Sequence, residues 1–126
     1  MAFSLAEQAG FQIIRSDAVR KELAGVSGMA SSAGIYSPQW TERTYLECRC
    51  RAEALLFEGK RVLVDANFPQ EKWRRLFLDA AQRWAVPHIF FLCQADPVVV
   101  QKRLEHRRQD LSDANWTIHQ ALAKDW

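Results

Sequence analysis

Three short apolar runs constrain the fold of this chain more than any other feature. They are FQIIRS at residues 11–16, RVLVDA at 61–66 and HIFFLCQA at 88–95. Each run is almost continuously apolar instead of alternating with polar residues, which predicts strands that are covered on both faces, as in a parallel sheet. Helical patterns lie between and after the runs. The sequence therefore predicts an α/β fold with helices on both sides of a parallel sheet.

The longest predicted helix has clear boundary signals. Ser37 offers a capping hydroxyl, Pro38 suits the first helical position, and Gly59 is placed to end the last turn. These signals predict a helix over about residues 38–58.

The firmest helix prediction covers residues 70–85. The apolar residues of this segment recur at the spacing of one helix face. They are Trp73, Leu76, Phe77, Ala80, Ala81 and Trp84. A further helix is predicted to begin at Asp96-Pro97, where an acidic cap is again followed by proline.

The length of 126 residues indicates one domain over residues 1–126. Seventeen basic residues stand against 15 acidic ones, and this net charge of +2 is too nearly balanced to predict binding to nucleic acid or membrane. The three cysteines show no CxxC spacing and no companion histidines, so we expect no metal site and a reducing cytoplasmic setting. No run approaches the roughly 20 apolar residues of a spanning helix.

A carboxylate and a guanidinium follow the first predicted strand. Asp17 comes just after the strand, and Arg20 lies one helical turn beyond it. In open α/β sheets, ligands bind beyond the carboxyl ends of the strands, so this pair could serve a kinase as base and as substrate-binding cation. The alternative is structural, since a carboxylate suits the first turn of a helix and Arg20 could be its ion-pair partner.

The second predicted strand also ends on an acid, Asp65. P-loop enzymes often keep a carboxylate near the magnesium ion at such a position. An aspartate at a strand end is also a common turn residue, and Asn67 with Pro69 would make a loop-to-helix entry by themselves. Both readings remain open at this point.

Two further groups of polar residues are candidates for substrate contacts. Arg103 and Arg107 are four residues apart on one predicted helix face, where they could reach polyphosphate oxygens. A basic run near the end of a helix is equally expected as a solvated face. Tyr36 and Ser37 could line a substrate pocket, although Ser37 is also explained as a helix cap.

Together these segments resemble small ATP-dependent P-loop kinases of the AAA_33, polynucleotide-kinase and zeta-toxin kind. The resemblance extends over nearly the whole chain, in the order that the family has. The segments that carry it are LAEQAGFQIIRSDAVRKELAG, GIYSPQWTERTYLE, GKRVLVDANF and RLEHRRQDLSDANW. It implies a three-layer parallel sheet of the P-loop NTPase kinase type, with ATP and Mg²⁺ as cofactors.

The resemblance also implies roles for individual residues. Asp17 corresponds to the family's general base, and Arg107 to the lid arginine that steadies the transferring phosphoryl group. Arg20 corresponds to a substrate contact and Asp65 to the acid near the cofactor. The remaining implied contacts are Arg103 for the cofactor and Tyr36 and Ser37 for the substrate.

One part of the family pattern is missing from the 126 residues. No GxxxxGK[ST] sequence occurs, and this turn supplies the backbone N–H groups and the lysine that bind phosphates. In the family, the turn follows a first strand that lies centrally, between the strands that here end at Asp65 and Ala95. We therefore expect a sheet without its first, central strand and its last strand. Another copy in a homodimer or a complementing chain could supply the missing strand.

Two functions are consistent with these observations. The first is an ATP-dependent phosphotransferase that acts on a hydroxyl of a small molecule, nucleotide or nucleic-acid end, incomplete as this chain alone. The second is a non-catalytic remnant that acts as a binding or oligomerisation module. The sequence does not identify the phosphate acceptor.

Overall fold

A computed structural model describes residues 2–25, 34–105 and 116. Five helices and two strands lie within these residues, and none of these helices is long and apolar enough to cross a membrane. In chain order they are α1 (Ala2–Ala9), β1 (Phe11–Arg15), α2 (Ser16–Leu23), α3 (Pro38–Phe57), β2 (Arg61–Asp65), α4 (Glu71–Arg83) and α5 (Pro97–Glu105).

The two strands form a parallel sheet. Phe11 lies opposite Arg61, and the register runs to Arg15 opposite Asp65. The connection between two parallel strands must cross over the sheet, and here α2 and α3 lie within it. The α/β class predicted from the apolar runs is confirmed by this arrangement.

The third apolar run does not form a strand. Residues 86–96 have no regular secondary structure, and the sheet of the described residues contains β1 and β2 alone. Most apolar side chains of this run are exposed, with Ile89 76% and Phe91 66% exposed, while the Phe90 ring contacts Phe68 at 5.0 Å. A strand needs a neighbour for its N–H and C=O groups, and no described strand lies beside this run. The prediction of a strand at 88–95 was therefore wrong for the described structure.

The helix boundary signals are confirmed. The Ser37 hydroxyl accepts a hydrogen bond from the Trp40 N–H at 3.4 Å, and Pro38 is the first residue of α3. Gly59 has a φ of 72° and donates its N–H to the Leu56 carbonyl, which ends the helix with a left-handed residue. At α5, the Asp96 carboxylate accepts from the Val98 N–H at 2.8 Å.

The core lies between the sheet, α2, α3 and α4. One cluster of buried side chains joins β1 and α2 to α3, and it consists of Ile14, Val19, Cys48 and Ala52. A second cluster joins α3 to α4 and consists of Tyr45, Phe68 and Trp73. The predicted apolar face of α4 is confirmed, because Trp73, Ala80 and Ala81 are buried. Trp84 lies at the margin of this face and is 36% exposed.

Arg51 ties α2 to α3 at the protein surface. Its guanidinium binds both carboxylate oxygens of Glu22, at 2.8 and 3.0 Å, and donates to Glu47 at 2.7 Å. The hydrogen bond from Arg51 holds the pKa of Glu22 below its usual value, with the charge of Arg51 acting in the same direction. This bidentate contact fixes the C-terminal half of α2 on α3.

Candidate functional site

The carboxyl ends of β1 and β2 lie side by side and form one edge of the candidate site. Arg15 and Asp65 are register partners there, and Arg15 Nε lies 3.5 Å from Asp65 Oδ2. The Asp65 side chain is 44% exposed. It therefore combines a structural ion pair with access to solvent at the edge where ligands bind in α/β sheets.

Asp17 lies in the first turn of α2, two residues beyond the end of β1. No hydrogen bond or ion pair links its carboxylate to another residue in the described part of the chain. In particular, it does not form the ion pair with Arg20 that the structural alternative would require. The amino end of α2 favours a negative charge at this position, and the Asp17 oxygens remain available as acceptors among the described residues.

Arg20 is buried and turns inward. Only 6% of the residue is exposed, and Nη1 donates to the Ile35 carbonyl at 2.8 Å and approaches Thr41 Oγ1 at 3.4 Å. Its Nε is buried without a hydrogen-bond partner. Among the described residues, no carboxylate lies within ion-pair distance of it. Within the described part of the chain, Arg20 is thus a buried charge without an ion-pair partner, an arrangement that costs free energy unless an anion binds.

Tyr36 and Ser37 lie where α3 begins. The Arg20 guanidinium lies over the Tyr36 ring, 5.0 Å from its centroid, and the tyrosine is 46% exposed. Ser37 uses its hydroxyl to cap α3, which is the structural explanation that the sequence offered for this residue. The structure therefore brings Tyr36 into contact with Arg20 and places Ser37 next to that pair.

The structure does not bring Arg103 into this arrangement. Arg103 is exposed on α5, and α5 does not pack extensively against any other described helix or strand. Arg107 lies outside the described residues. The predicted role of each in binding the transferred phosphoryl group remains a prediction.

Sequence reasoning missed the contact between Tyr45 and Phe68. The Tyr45 hydroxyl accepts a hydrogen bond from the Phe68 N–H at 3.0 Å, and the tyrosine ring stacks on Trp73 at 4.8 Å. The spacing of Thr41, Tyr45 and Cys48 along α3 does indicate one inward face of the helix. Nothing local in the sequence indicates that this face reaches the loop after β2.

Burial raises the pKa of two groups on this inward face. The pKa of the Tyr45 phenol rises to about 12, mainly because of desolvation, while the Phe68 N–H and the charge of Arg20 act in the opposite direction. Desolvation likewise raises the pKa of the Cys48 thiol to about 11, against the lowering effect of Arg51. Both side chains are therefore neutral at physiological pH.

We expect the free energy of unfolding to fall above pH 9. Unfolding returns Cys48 and Tyr45 to pKa values of 9.0 and 10.0, so the unfolded chain releases protons that the folded chain retains. Each group then removes up to roughly 2–3 kcal/mol, between pH 9 and 11 for Cys48 and between pH 10 and 12 for Tyr45. Urea unfolding at a series of pH values measures this loss.

A matched pair of variants isolates the thiol contribution. Cys48→Ala should flatten the decline between pH 9 and 10, whereas Cys50→Ala, at an exposed position on the same helix, should leave it unchanged. An unchanged decline in Cys48→Ala would contradict the assignment of this part of the slope to Cys48.

Two open grooves lie beside α3. One, of about 540 Å³, runs between the end of α2 and the outer face of α3, and the other, of about 430 Å³, lies along β1 between α2 and α3. Neither is lined by Asp17, Arg20 or Asp65. Among the described residues, no group of three His, Cys, Asp or Glu side chains is arranged to hold a metal ion.

Parallel strands with acids at their carboxyl ends, and a helix that starts there, are typical of a nucleotide-binding, kinase-like domain. The comparison with known families agrees with this class. Residues 1–124 match the AAA_33 family, which is described as an AAA domain, and the chain belongs to that family. It is therefore a P-loop kinase-like domain.

The chain is also similar to curated proteins from mycobacteria. It is 30% identical, over 135 aligned residues, to Mycobacterium tuberculosis Rv2004c and to Mycobacterium bovis Mb2027c, both described as uncharacterized. The alignment covers 100% of this chain and 27% of each relative, so the chain spans about a quarter of their length. No solved structure gives a significant match.

Proposed function

We propose that this domain is part of an ATP-dependent phosphotransferase and supplies the residues that bind the phosphate acceptor. The acceptor group is a hydroxyl of a small molecule, nucleotide or nucleic-acid end. The observation that carries the proposal is the burial of the Arg20 guanidinium without a carboxylate partner in the described chain. Arg20 lies one helical turn from Asp17, whose carboxylate makes no hydrogen bond or ion pair with a described residue. A buried cation beside a carboxylate that can accept a proton suits an acceptor with an anionic group and a hydroxyl.

The proposed reaction assigns one role to each of these residues. Asp17 takes the proton of the acceptor hydroxyl while that oxygen bonds to the γ-phosphorus of ATP. The bond between the γ-phosphorus and the bridging oxygen breaks, and ADP leaves with the electron pair. Arg20 holds the anionic group of the acceptor, and Tyr36 and Ser37 border the same position.

Asp65 would help to hold Mg²⁺. Magnesium takes oxygen ligands and is usually bound by one or two carboxylates together with substrate phosphates, a requirement that the half-exposed Asp65 carboxylate fits. When bound, the ion neutralises charge on the phosphates. Arg103 and Arg107 are proposed to bind the phosphates of ATP.

The phosphate-binding turn must come from outside these 126 residues, because they contain no GxxxxGK[ST] sequence. In the described sheet, β2 pairs with β1 on one side only, so its other edge is open to a further strand. We propose that a strand carrying such a turn pairs there, supplied by a connected segment, a second copy or a complementing chain.

The direct test compares this chain with a fusion. The fusion places a β-strand and a GxxxxGK[ST] turn ahead of α1, and both proteins are heated with and without Mg-ATP. The fusion should gain a magnesium-dependent rise in melting temperature and release phosphate, whereas the chain alone should gain neither. A fusion that folds but neither binds nor turns over ATP would refute the proposed function.

Arg20 can be tested without knowledge of the acceptor. Inorganic phosphate, as a stand-in for the anionic group, should stabilise the chain by about 1.4 kcal/mol at ten times its Kd, relative to chloride of equal ionic strength. Arg20→Met should lose this stabilisation, because the buried cation is gone. Arg75→Met, which removes an exposed arginine on α4, should retain it. Equal stabilisation of both variants would exclude Arg20 as the anion contact.

A second candidate function is a non-catalytic binding or oligomerisation module. The observation that favours it is the exposed apolar segment from Ile89 to Leu92, in which the side chains are 42–76% exposed. Light scattering distinguishes the two candidates. A stable dimer of the chain alone, with no response of the fusion to Mg-ATP, would support the module and not the kinase.

A further inference from the structure

The buried hydroxyl of Tyr45 has no role in the proposed reaction, yet it holds the loop that leads away from the site. Tyr45 is 3% exposed, and its hydroxyl oxygen accepts the Phe68 N–H at 3.0 Å. Phe68 lies three residues beyond Asp65, the last residue of β2. This hydrogen bond therefore ties α3 to the short loop that follows the Asp65 carboxylate.

Phe68 has an unusual backbone conformation. Its φ is 47°, in the left-handed region that bulky residues rarely adopt. Such strain persists only where the surroundings enforce it, and it is often found at functional sites. Three contacts besides Tyr45 enforce it here. Arg74 Nη1 donates to the Phe68 carbonyl at 2.7 Å, and the Phe68 ring packs edge-on against Phe77 at 5.3 Å and Phe90 at 5.0 Å.

The same face of α3 also contacts Arg20, the proposed acceptor-binding residue. Thr41, one helical turn before Tyr45, lies 3.4 Å from the Arg20 guanidinium through its Oγ1 atom. One rigid helix therefore touches Arg20 on α2 and the loop after β2. Thr41 and Tyr45, one helical turn apart on α3, therefore set the distance between Arg20 and the loop that follows Asp65.

We propose that Tyr45 is a positioning residue: its buried hydroxyl holds Phe68 in the left-handed conformation and thereby fixes the position of Asp65 at the carboxyl end of β2. Its consequence for turnover rests on the proposed phosphotransferase function. Tyr45 acts through Phe68 and touches no reacting group. Its loss should therefore lower kcat through misplacement of Asp65, with little effect on binding of the acceptor.

The first test measures the loop in the chain itself. Tyr45→Phe keeps the ring stacked on Trp73 and removes only the hydroxyl, so the Phe68 amide loses its buried acceptor. Amide hydrogen exchange at Phe68 should become at least about tenfold faster relative to the Ile14 amide in β1. Arg74→Met, which removes the other polar contact of Phe68, should accelerate the same amide.

Thr44→Val is the matched control for the first test. Thr44 is also fully buried, and its hydroxyl donates within α3 to the Trp40 carbonyl at 2.7 Å, away from the loop. It should leave the ratio of the Phe68 and Ile14 exchange rates unchanged. A ratio in Tyr45→Phe that equals the ratio in Thr44→Val would overturn the inference.

The second test separates positioning from general stability. In the strand-and-turn fusion, Tyr45→Phe should lower kcat by about tenfold or more and raise the Mg²⁺ concentration that gives half-maximal turnover, because Asp65 is the proposed Mg²⁺ contact. Thr44→Val should change neither value. An unchanged kcat in an active Tyr45→Phe fusion would overturn the positioning role. If the parent fusion has no turnover, the proposed function fails, and the exchange ratio alone decides the inference.

Discussion

Replacement of Asp17 by asparagine in the strand-and-turn fusion should lower the rate of phosphoryl transfer by about 10²- to 10⁴-fold, the usual contribution of a general base. The amide has nearly the shape of the carboxylate but cannot take the proton of the acceptor. Because Asp17 makes no hydrogen bond or ion pair with another described residue, its loss should leave the fold intact. The affinity for Mg-ATP should also be unchanged, since Asp17 acts on the acceptor.

Initial rates of ADP release and calorimetric titration with ATP measure the two quantities separately. Asp79→Asn, at an exposed position on α4, is the control and should retain the parent rate. A rate for Asp17→Asn within about tenfold of the parent would show that another group accepts the proton.

Replacement of Trp73 by alanine should lower the free energy of unfolding by about 3–5 kcal/mol, the usual cost of removing a buried tryptophan side chain. Trp73 is 6% exposed and stacks on Tyr45 with the ring planes 11° apart. It is therefore the main contact between α4 and α3 in the second cluster. Since a domain of this size has a free energy of unfolding of only about 5–15 kcal/mol, the variant would keep only part of its stability.

Urea unfolding followed by circular dichroism gives the free energy for this variant. Trp84→Ala provides the comparison, because Trp84 is partly exposed and has an edge contact with Phe57 at 6.2 Å. We expect it to cost less than about 1.5 kcal/mol. Equal losses in the two variants would contradict the packing of α4 through Trp73.

The fold was predictable where it depends on local patterns. The runs at 11–16 and 61–66 become paired parallel strands, and the caps at Ser37 and Asp96 begin helices as expected. The run at 88–95 has the same apolar character, yet it forms no strand in the described structure. A strand depends on a neighbour that can accept its hydrogen bonds, and the composition of the run says nothing about that neighbour.

The sequence predicted where the candidate residues lie but not what they contact. The strand ends place Asp17 and Asp65 at one edge of the sheet, because parallel strands end on the same side, and the roles of both residues remain predictions. The burial of Arg20 depends on Ile35 and Thr41, which lie 15 and 21 residues away in the chain. The sequence also did not predict the left-handed conformation of Phe68, since the residue at that position is neither glycine nor asparagine.

Calorimetric titration of the strand-and-turn fusion with ATP, with and without Mg²⁺, tests the kinase assignment most directly. We predict a single magnesium-dependent site per chain that disappears when the lysine of the added turn is replaced by alanine. The chain without the added segment should give no binding heat. A folded fusion that fails to bind ATP, or that binds it equally well without the lysine, would contradict the proposal that this domain completes a P-loop kinase.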